Sequence, residues 1–263
     1  MQAVLKDLTT KDLGKTFFYF EEVSSTNDYL KENGQGLPHG TAVVALRQFA
    51  GKGRTGRKWE DTAEGGAAKS LALSVLLKPP TVYHTPMLPL VCGLAVKKAL
   101  RTAAGAVGSI KWPNDIVING RKVCGILCEG AVAGEQVFTV CGIGVNLLET
   151  RDDFNKVNLP HATSVYAETG RRCEVLQMAA AVLNALEGYY ERFILSGFDG
   201  LMEDYREACI TLGSGVTVLQ DGIQQNGTAV DIAPDGALLV NIEGKLRAIH
   251  AGEASVRGLY GYV

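Results

Sequence analysis

The chain has 263 residues, is 46% hydrophobic and 21% charged, and carries a formal net charge of −2. That balance belongs to a globular chain, excludes fibrous and disordered classes, and gives no global attraction for nucleic acid or anionic lipid. The length exceeds a typical domain of ~100–150 residues, which predicts one large domain over 1–212 and a small one over 213–263. No apolar run reaches the ~18–20 residues that span a bilayer, and the N-terminal stretch has no signal-peptide core, so a cytoplasmic protein without membrane contact is expected.

In chain order, Phe17 to Val23 (FFYFEEV) has strand composition, and SSTNDYLKENG reads as a capped helix. Ser25 and Asp28 stand at capping-box spacing there, and Gly34 is the expected C′ residue. TAVVALR and LALSVLL predict buried strands bracketing a long loop from Gln48 to Lys69. A helix is predicted over Thr85 to Gly105, and another over Glu174 to Ser196, ended by Gly197. Between them, two apolar runs meet at Asn119-Gly120, the strongest local cue for a type I′ hairpin. This brings Lys111 to Asp115 close to Lys122. After Leu212 the turn pairs Asp221-Gly222, Asn226-Gly227, Asp235-Gly236 and Glu243-Gly244 predict a small β-barrel. The whole is α+β with a mixed sheet. The six cysteines (Cys92, Cys124, Cys128, Cys141, Cys173, Cys209) lack zinc spacing and read as small buried hydrophobes.

Three basic segments and one glycine-bearing strand carry chemistry. In GKGRTGRKW (Gly51 to Trp59), Lys52, Arg54, Arg57 and Lys58 sit among three glycines, so backbone N–H groups and cations can converge on an anion. The spacing is neither that of a Walker loop nor that of a dinucleotide-binding turn. On local grounds the loop is an anion cradle or a solvated basic loop. KWPND (Lys111 to Asp115) and the Lys-x-x-Gly of Lys122 to Gly125 follow, then CGIGVNLL (Cys141 to Leu148).

In order and spacing these segments resemble the biotin protein ligases, whose pattern is GRGRxGRxW, KWPND, Lys-x-x-Gly and a GxGxN strand. The resemblance runs from Phe17 to the C-terminus. It implies a mixed-sheet catalytic domain of the biotin/lipoate ligase type with an SH3-like C-terminal barrel. It also implies that ATP converts biotin to biotinyl-5′-AMP, with Mg²⁺, before transfer to one lysine of a biotin carboxyl carrier protein. A carboxylate attacking a polyphosphate needs fixed cations and no side-chain nucleophile, which matches the residue types present.

Carried over by position, Ser25, Thr26, Asn27 and Gln48 meet biotin, with Gly51, Lys52, Gly53, Arg54, Lys122 and Gly125 closing around it. From the residues alone, Ser25 to Asn27 are equally a helix cap. Arg54, Arg57, Trp59, Asn114, Asp115, Lys122, Asn146 and Arg257 are implied at ATP. Lys122, Arg54, Lys111 and Asp115 are the implied catalytic set, and Asp115 is the candidate for Mg²⁺ through Mg-ATP. Glu253 is a further candidate in GEASVR (Gly252 to Arg257). Two departures stand out: Lys52 replaces the pattern's arginine, losing the bidentate fork, and Glu60 follows Trp59.

The rival enzyme class is a lipoate ligase or octanoyl transferase, which shares the fold but lacks the basic loop. The rival binding class is a nucleic-acid module, which the net acidity disfavours. With sixteen residues before Phe17, no N-terminal helix-turn-helix and no operator binding are expected. The family often dimerises; the residues themselves do not decide it for this chain.

Overall fold

The computed structural model describes residues 5–59, 68–133, 136–220, 222–251, 255–258 and 262–263. Glu60, Asp221 and Glu253 lie outside them.

The first half of the chain alternates strands and helices: β1 (Phe17–Val23), α1 (Thr26–Asn33), β2 (Ala42–Gln48), β3 (Ser70–Leu77) and α2 (Leu88–Ala104). Four strands follow in succession: β4 (Ser109–Lys111), β5 (Asp115–Ile118), β6 (Arg121–Ala133) and β7 (Gln136–Asn146). They form one seven-stranded sheet of order β1-β2-β3-β7-β6-β5-β4, in which β1 and β2 are parallel and every other pair antiparallel. The expected mixed sheet is present.

Period-two alternation explains how this sheet serves two layers. Along β3, Leu71, Leu73, Val75 and Leu77 enter the large core. The same core takes α2 and the long helix α5 (Val175–Ser196). Leu76 instead joins a small core with Leu30 of α1, Val43, Phe138 and Val140. The α1 side of the sheet is thus only partly filled, and the uncovered part is where the polar residues gather.

The helix predictions hold to within a few residues. Pro86 and Pro89 delay the start of α2 to Leu88, after a 3-10 turn over Val82–Met87. Gly105, at φ +61°, ends it: Gly105 N–H donates to Arg101 O and Ala106 N–H to Leu100 O. Gly34 differs from expectation. Its φ is −69°, so no left-handed cap forms there, and glycine is required because a Cβ would strike Leu30 O and lie 2.7 Å from the Phe138 ring. Asn119 and Gly120 have φ of 50° and 74°, the predicted I′ turn between β5 and β6.

The remaining helices α3 (Arg151–Lys156), α4 (Val165–Thr169) and α6 (Met202–Ala208) lead into a second, five-stranded antiparallel sheet. Its strands are β8 (Gly215–Gln220), β9 (Ile223–Ile232), β10 (Leu238–Ile242), β11 (Lys245–Ile249) and β12 (Ser255–Gly258), in the order β11-β10-β9-β8-β12. Two expectations are corrected here. The SH3-like barrel is not closed among the described residues, since β11 and β12 are the two edges of this sheet. Asn226-Gly227 is also no turn but lies inside β9, where Gly227 is needed because a Cβ would lie 2.6 Å from Asn241 O. Asp235-Gly236 and Glu243-Gly244 do turn the chain, with Glu243 at φ 52° and Gly244 at φ 81°.

The two sheets are joined by Trp112, whose indole N–H donates to Gly236 O at 3.1 Å and whose backbone N–H donates to Thr211 Oγ1 at 3.0 Å. The Trp112-Pro113 bond is cis. Although scattered in sequence, Cys92, Cys128 and Cys141 meet where α2 crosses β6 and β7, their sulfurs within 4.8 Å of one another. Among the described residues, no helix is long and apolar enough to cross a membrane.

Candidate active site

Strand register builds the floor of the site. Lys111 of β4 pairs with Asp115 of β5, Asp115 with Gly125 of β6, Gly125 with Gly144 of β7, and Gly144 with Ala72 of β3. Directly paired antiparallel residues project to the same face. This row therefore runs from two charged side chains across two bare glycines. The next row, Ser74–Gly142–Leu127, is similarly open at its centre. The result is a trough with a cationic end and a neutral polar end.

Trp59 lies in the trough: a Cβ on Gly144 would be 2.6 Å from its indole, and one on Gly125 would be 3.0 Å away. Gly51, whose O accepts from Trp59 N–H at 3.0 Å, brings the loop back over the sheet. Gly53 N–H donates to Arg57 O at 2.7 Å and Lys52 bridges to Lys58, so the loop is a narrow closed turn. Two pins fix it to the body: Lys52 Nζ reaches Asp28 at 2.8 Å, and Arg54 Nη1 donates to Asn114 Oδ1 at 2.9 Å. Asn114 is itself held, donating through Nδ2 to Ile126 O at 2.8 Å.

At the cationic end, Lys122 Nζ lies 2.6 Å from Asp115 Oδ1, and Tyr262 OH donates to Asp115 Oδ2 at 2.5 Å. The Lys111 ammonium stands 4.0 Å from the centroid of the Tyr262 ring, which stacks on His161. Burial pulls the pKa of Lys111 down; Asp115 opposes this, while Lys122, Arg57 and Arg257 add to it. Burial likewise lowers Arg54, with Asp115 opposing and Arg57 assisting. Desolvated cations crowded round one carboxylate hold excess positive potential, which an anionic ligand relieves.

At the neutral end, Ser25, Thr26 and Asn27 are buried at the start of α1, and Ser25 Oγ caps Asp28 N–H at 3.3 Å. Cap and pocket wall are therefore the same residues. Thr26 donates to Gln48 Oε1 from both its N–H (2.8 Å) and its hydroxyl (3.1 Å). Ser74 Oγ lies 2.7 Å from Thr26 Oγ1 and 2.6 Å from Asn27 Oδ1. Asp28 is drawn below the usual carboxylate range: desolvation alone would raise it, but hydrogen bonds from Lys52 and Lys31 outweigh that.

The structure thus gathers Ser25, Thr26, Asn27, Gln48, Lys52, Gly53, Arg54, Trp59, Asn114, Lys122 and Gly125 round one pocket. Arg57 and Gly51 line the adjoining groove. Asn146 sits outside that lining, donating to Thr163 O at 2.8 Å, and Arg257 is exposed on β12 within electrostatic reach of Lys111. Ser74, Glu129, His161 and Tyr262 were not singled out from the sequence. Only Ser74 left a trace there, as the one polar residue within the apolar run LALSVLL.

A basic loop over a glycine floor gives the trough one cationic and one neutral polar end, a charge pattern suited to a small polar acid beside a phosphate. The Biotin/lipoate A/B protein ligase family matches residues 19–146, and the Biotin protein ligase C terminal domain matches residues 211–257. A Biotin--[acetyl-CoA-carboxylase] ligase of Mycobacterium tuberculosis is 32% identical over 88% of this chain and 85% of its own length. A bifunctional ligase/repressor of Bacillus spizizenii is 30% identical over 94% of this chain and 75% of its own length. The biotin protein ligase of Aquifex aeolicus, solved with biotin and ATP, superposes with a TM-score of 0.80 at 31% identity, covering 93% of this chain and 99% of that one. This chain belongs to the biotin protein ligase family.

Proposed function

We propose that the chain activates biotin with ATP and passes it to a lysine of a biotin carboxyl carrier protein. The observation that carries this is the polarity of the trough. Ser25, Thr26, Asn27 and Gln48 offer neutral donors and acceptors suited to a ureido ring, while Lys111, Lys122 and Arg54 cluster at the far end, where a carboxylate and a phosphate would meet. A fatty substrate would need an apolar slot at the neutral end.

In the first step a biotin carboxylate oxygen attacks the α-phosphorus of ATP and pyrophosphate leaves. In the second, the carrier lysine's amine attacks the acyl carbonyl and AMP leaves. Lys122 is assigned to the carboxylate and α-phosphate, Arg54 and Arg57 to the phosphates, and Gly51, Lys52 and Gly53 to loop closure over biotin. Trp59, Asn114, Asn146 and Arg257 are assigned to the nucleotide side, with Lys111 and Asp115 beside the reacting groups. Fixed cations of this kind cancel the like-charge repulsion between the reactants.

Mg²⁺ would be bound chiefly by triphosphate oxygens, because the Asp115 carboxylate is already ion-paired with Lys122 and hydrogen-bonded by Tyr262. Asp115 is the carboxylate assigned to share it, and the ion would supply charge neutralisation. We further assign 1–212 to the catalytic unit and 213–263 to the appended one.

The test is pyrophosphate exchange into ATP. Exchange that requires biotin and ignores lipoate supports the reading; exchange supported by lipoate overturns it.

A further inference from the structure

Asn27 presents a choice that its nearest neighbour does not make. Ser74 Oγ, 2.6 Å from Asn27 Oδ1, is a hydroxyl, and a hydroxyl serves equally as donor or acceptor. Were the amide turned over, its amino group would donate to Ser74. Ser74 would then donate to Thr26 Oγ1, and Thr26 to Gln48 Oε1, leaving every partner on that side satisfied. The orientation is decided on the opposite side, by two pure acceptors: Leu127 O at 3.2 Å and Glu129 Oε2 at 2.7 Å from Nδ2. Turned over, the amide would set its oxygen against both. The Glu129 bond is the shorter and the charge-assisted one.

Glu129 is in turn held in place. Its Oε1 lies 2.6 Å from Lys31 Nζ, Lys31 lies 3.0 Å from Asp28, and Asp28 lies 2.8 Å from Lys52 of the basic loop. Desolvation pulls Lys31 down, but the hydrogen bonds it donates to Glu129 and Asp28 keep it above the usual lysine range. One chain of charges thus runs from the pocket to the loop residue that departs from the family pattern. Glycine at 142 completes the arrangement, since any Cβ there would collide with Asn27 Oδ1.

We propose that Glu129 is a positioning residue for substrate recognition: it fixes the Asn27 amide so that its carbonyl oxygen, and not its amino group, faces the ring N–H donors of biotin. This rests on the reading that Asn27 meets the ureido ring. Glu129 touches no substrate in this role and acts through Asn27 alone.

Biotin binding by calorimetry and the KM values for biotin and ATP in the exchange reaction test this in Glu129→Ala, Glu129→Gln, Asn27→Ala and the Glu129→Ala/Asn27→Ala double variant. Glu129→Ala should weaken biotin about tenfold or more, as loss of a hydrogen bond to a charged acceptor does, with KM for ATP unchanged. Glu129→Gln, whose carbonyl still accepts from Asn27, should recover most of that loss. In the Asn27→Ala background, Glu129→Ala should add nothing. Should the alanine variant not fold, Glu129→Leu keeps the side-chain bulk and carries the same expectation. Biotin affinity preserved in Glu129→Ala but lost in Asn27→Ala overturns the proposal alone, as do additive losses or a glutamine variant as weak as alanine. Unchanged affinity in Asn27→Ala overturns the reading on which the proposal stands.

Discussion

Replacing Gly144 by alanine would place a methyl group 2.6 Å, 2.7 Å and 3.0 Å from three indole atoms of Trp59. Carbon atoms prefer about 3.5–4.0 Å, so the ring must retreat by about 1 Å. Gly144 lies in β7, paired on both sides with β3 and β6, and cannot retreat in its place. Overpacking of this kind costs about 1–3 kcal/mol while the ring stays, which is also the most that expelling it can be worth. The ring is half-buried, so it leaves, and the Gly51 to Trp59 turn loosens with it. The expected outcome is a rise in KM for ATP of about fivefold to hundredfold. Tryptophan fluorescence reads the movement directly: the chain has two tryptophans, and Trp112 is 2% exposed at the junction of the sheets, so a red shift reports Trp59. Gly130→Ala is the control, because nothing lies within 4 Å of a Cβ at that position. An unshifted emission spectrum with unchanged kinetics in Gly144→Ala would refute the argument that bare glycine backbone seats the ring.

Lys122→Ala should abolish biotin-dependent exchange while circular dichroism stays native, since Asp115 retains Tyr262; near-normal exchange would remove Lys122 from the chemistry. Arg54→Gly breaks the 2.9 Å pin to Asn114 and should release biotinyl-5′-AMP, seen as biotin on lysines of bystander proteins, whereas undiminished carrier selectivity counts against loop closure by Arg54. Lys111 has a lowered pKa in the free protein, and a bound triphosphate should raise it, so ATP binding should take up protons at alkaline pH. Affinity then falls as pH rises from the lowered pKa of the free protein through the raised pKa of the complex. Calorimetry in buffers of different ionisation enthalpy measures this uptake, and Lys111→Met should remove it.

Much of the fold was legible because local rules governed it. Asn119-Gly120 turns because both residues adopt left-handed backbone, and LALSVLL is a near-continuous apolar run because β3 is buried on both faces. Asn226-Gly227 shows the limit of turn chemistry. The same dipeptide lies inside β9, because crowding by β10 demands glycine there for space and not for its φ. The basic loop, Lys122 and the Ser25 to Asn27 segment were readable from motif order. Glu129 and Tyr262 were not, because each earns its partner only through strand order: β7 sits between β3 and β6, and the chain end returns across β5. The meeting of Cys92, Cys128 and Cys141 was hidden in the same way, by a helix crossing that sequence spacing does not encode.

The position of Trp112 makes KWPND a lever as well as a source of charges. Lys111 and Asp115 flank a side chain whose indole is bolted to Gly236 on the second sheet. A tilt of that sheet is therefore delivered, within three residues of chain, to the ammonium and the carboxylate at the cationic end of the trough. Damage far from the pocket, at the turn carrying Gly236, should register as misplaced charge before it registers as unfolding.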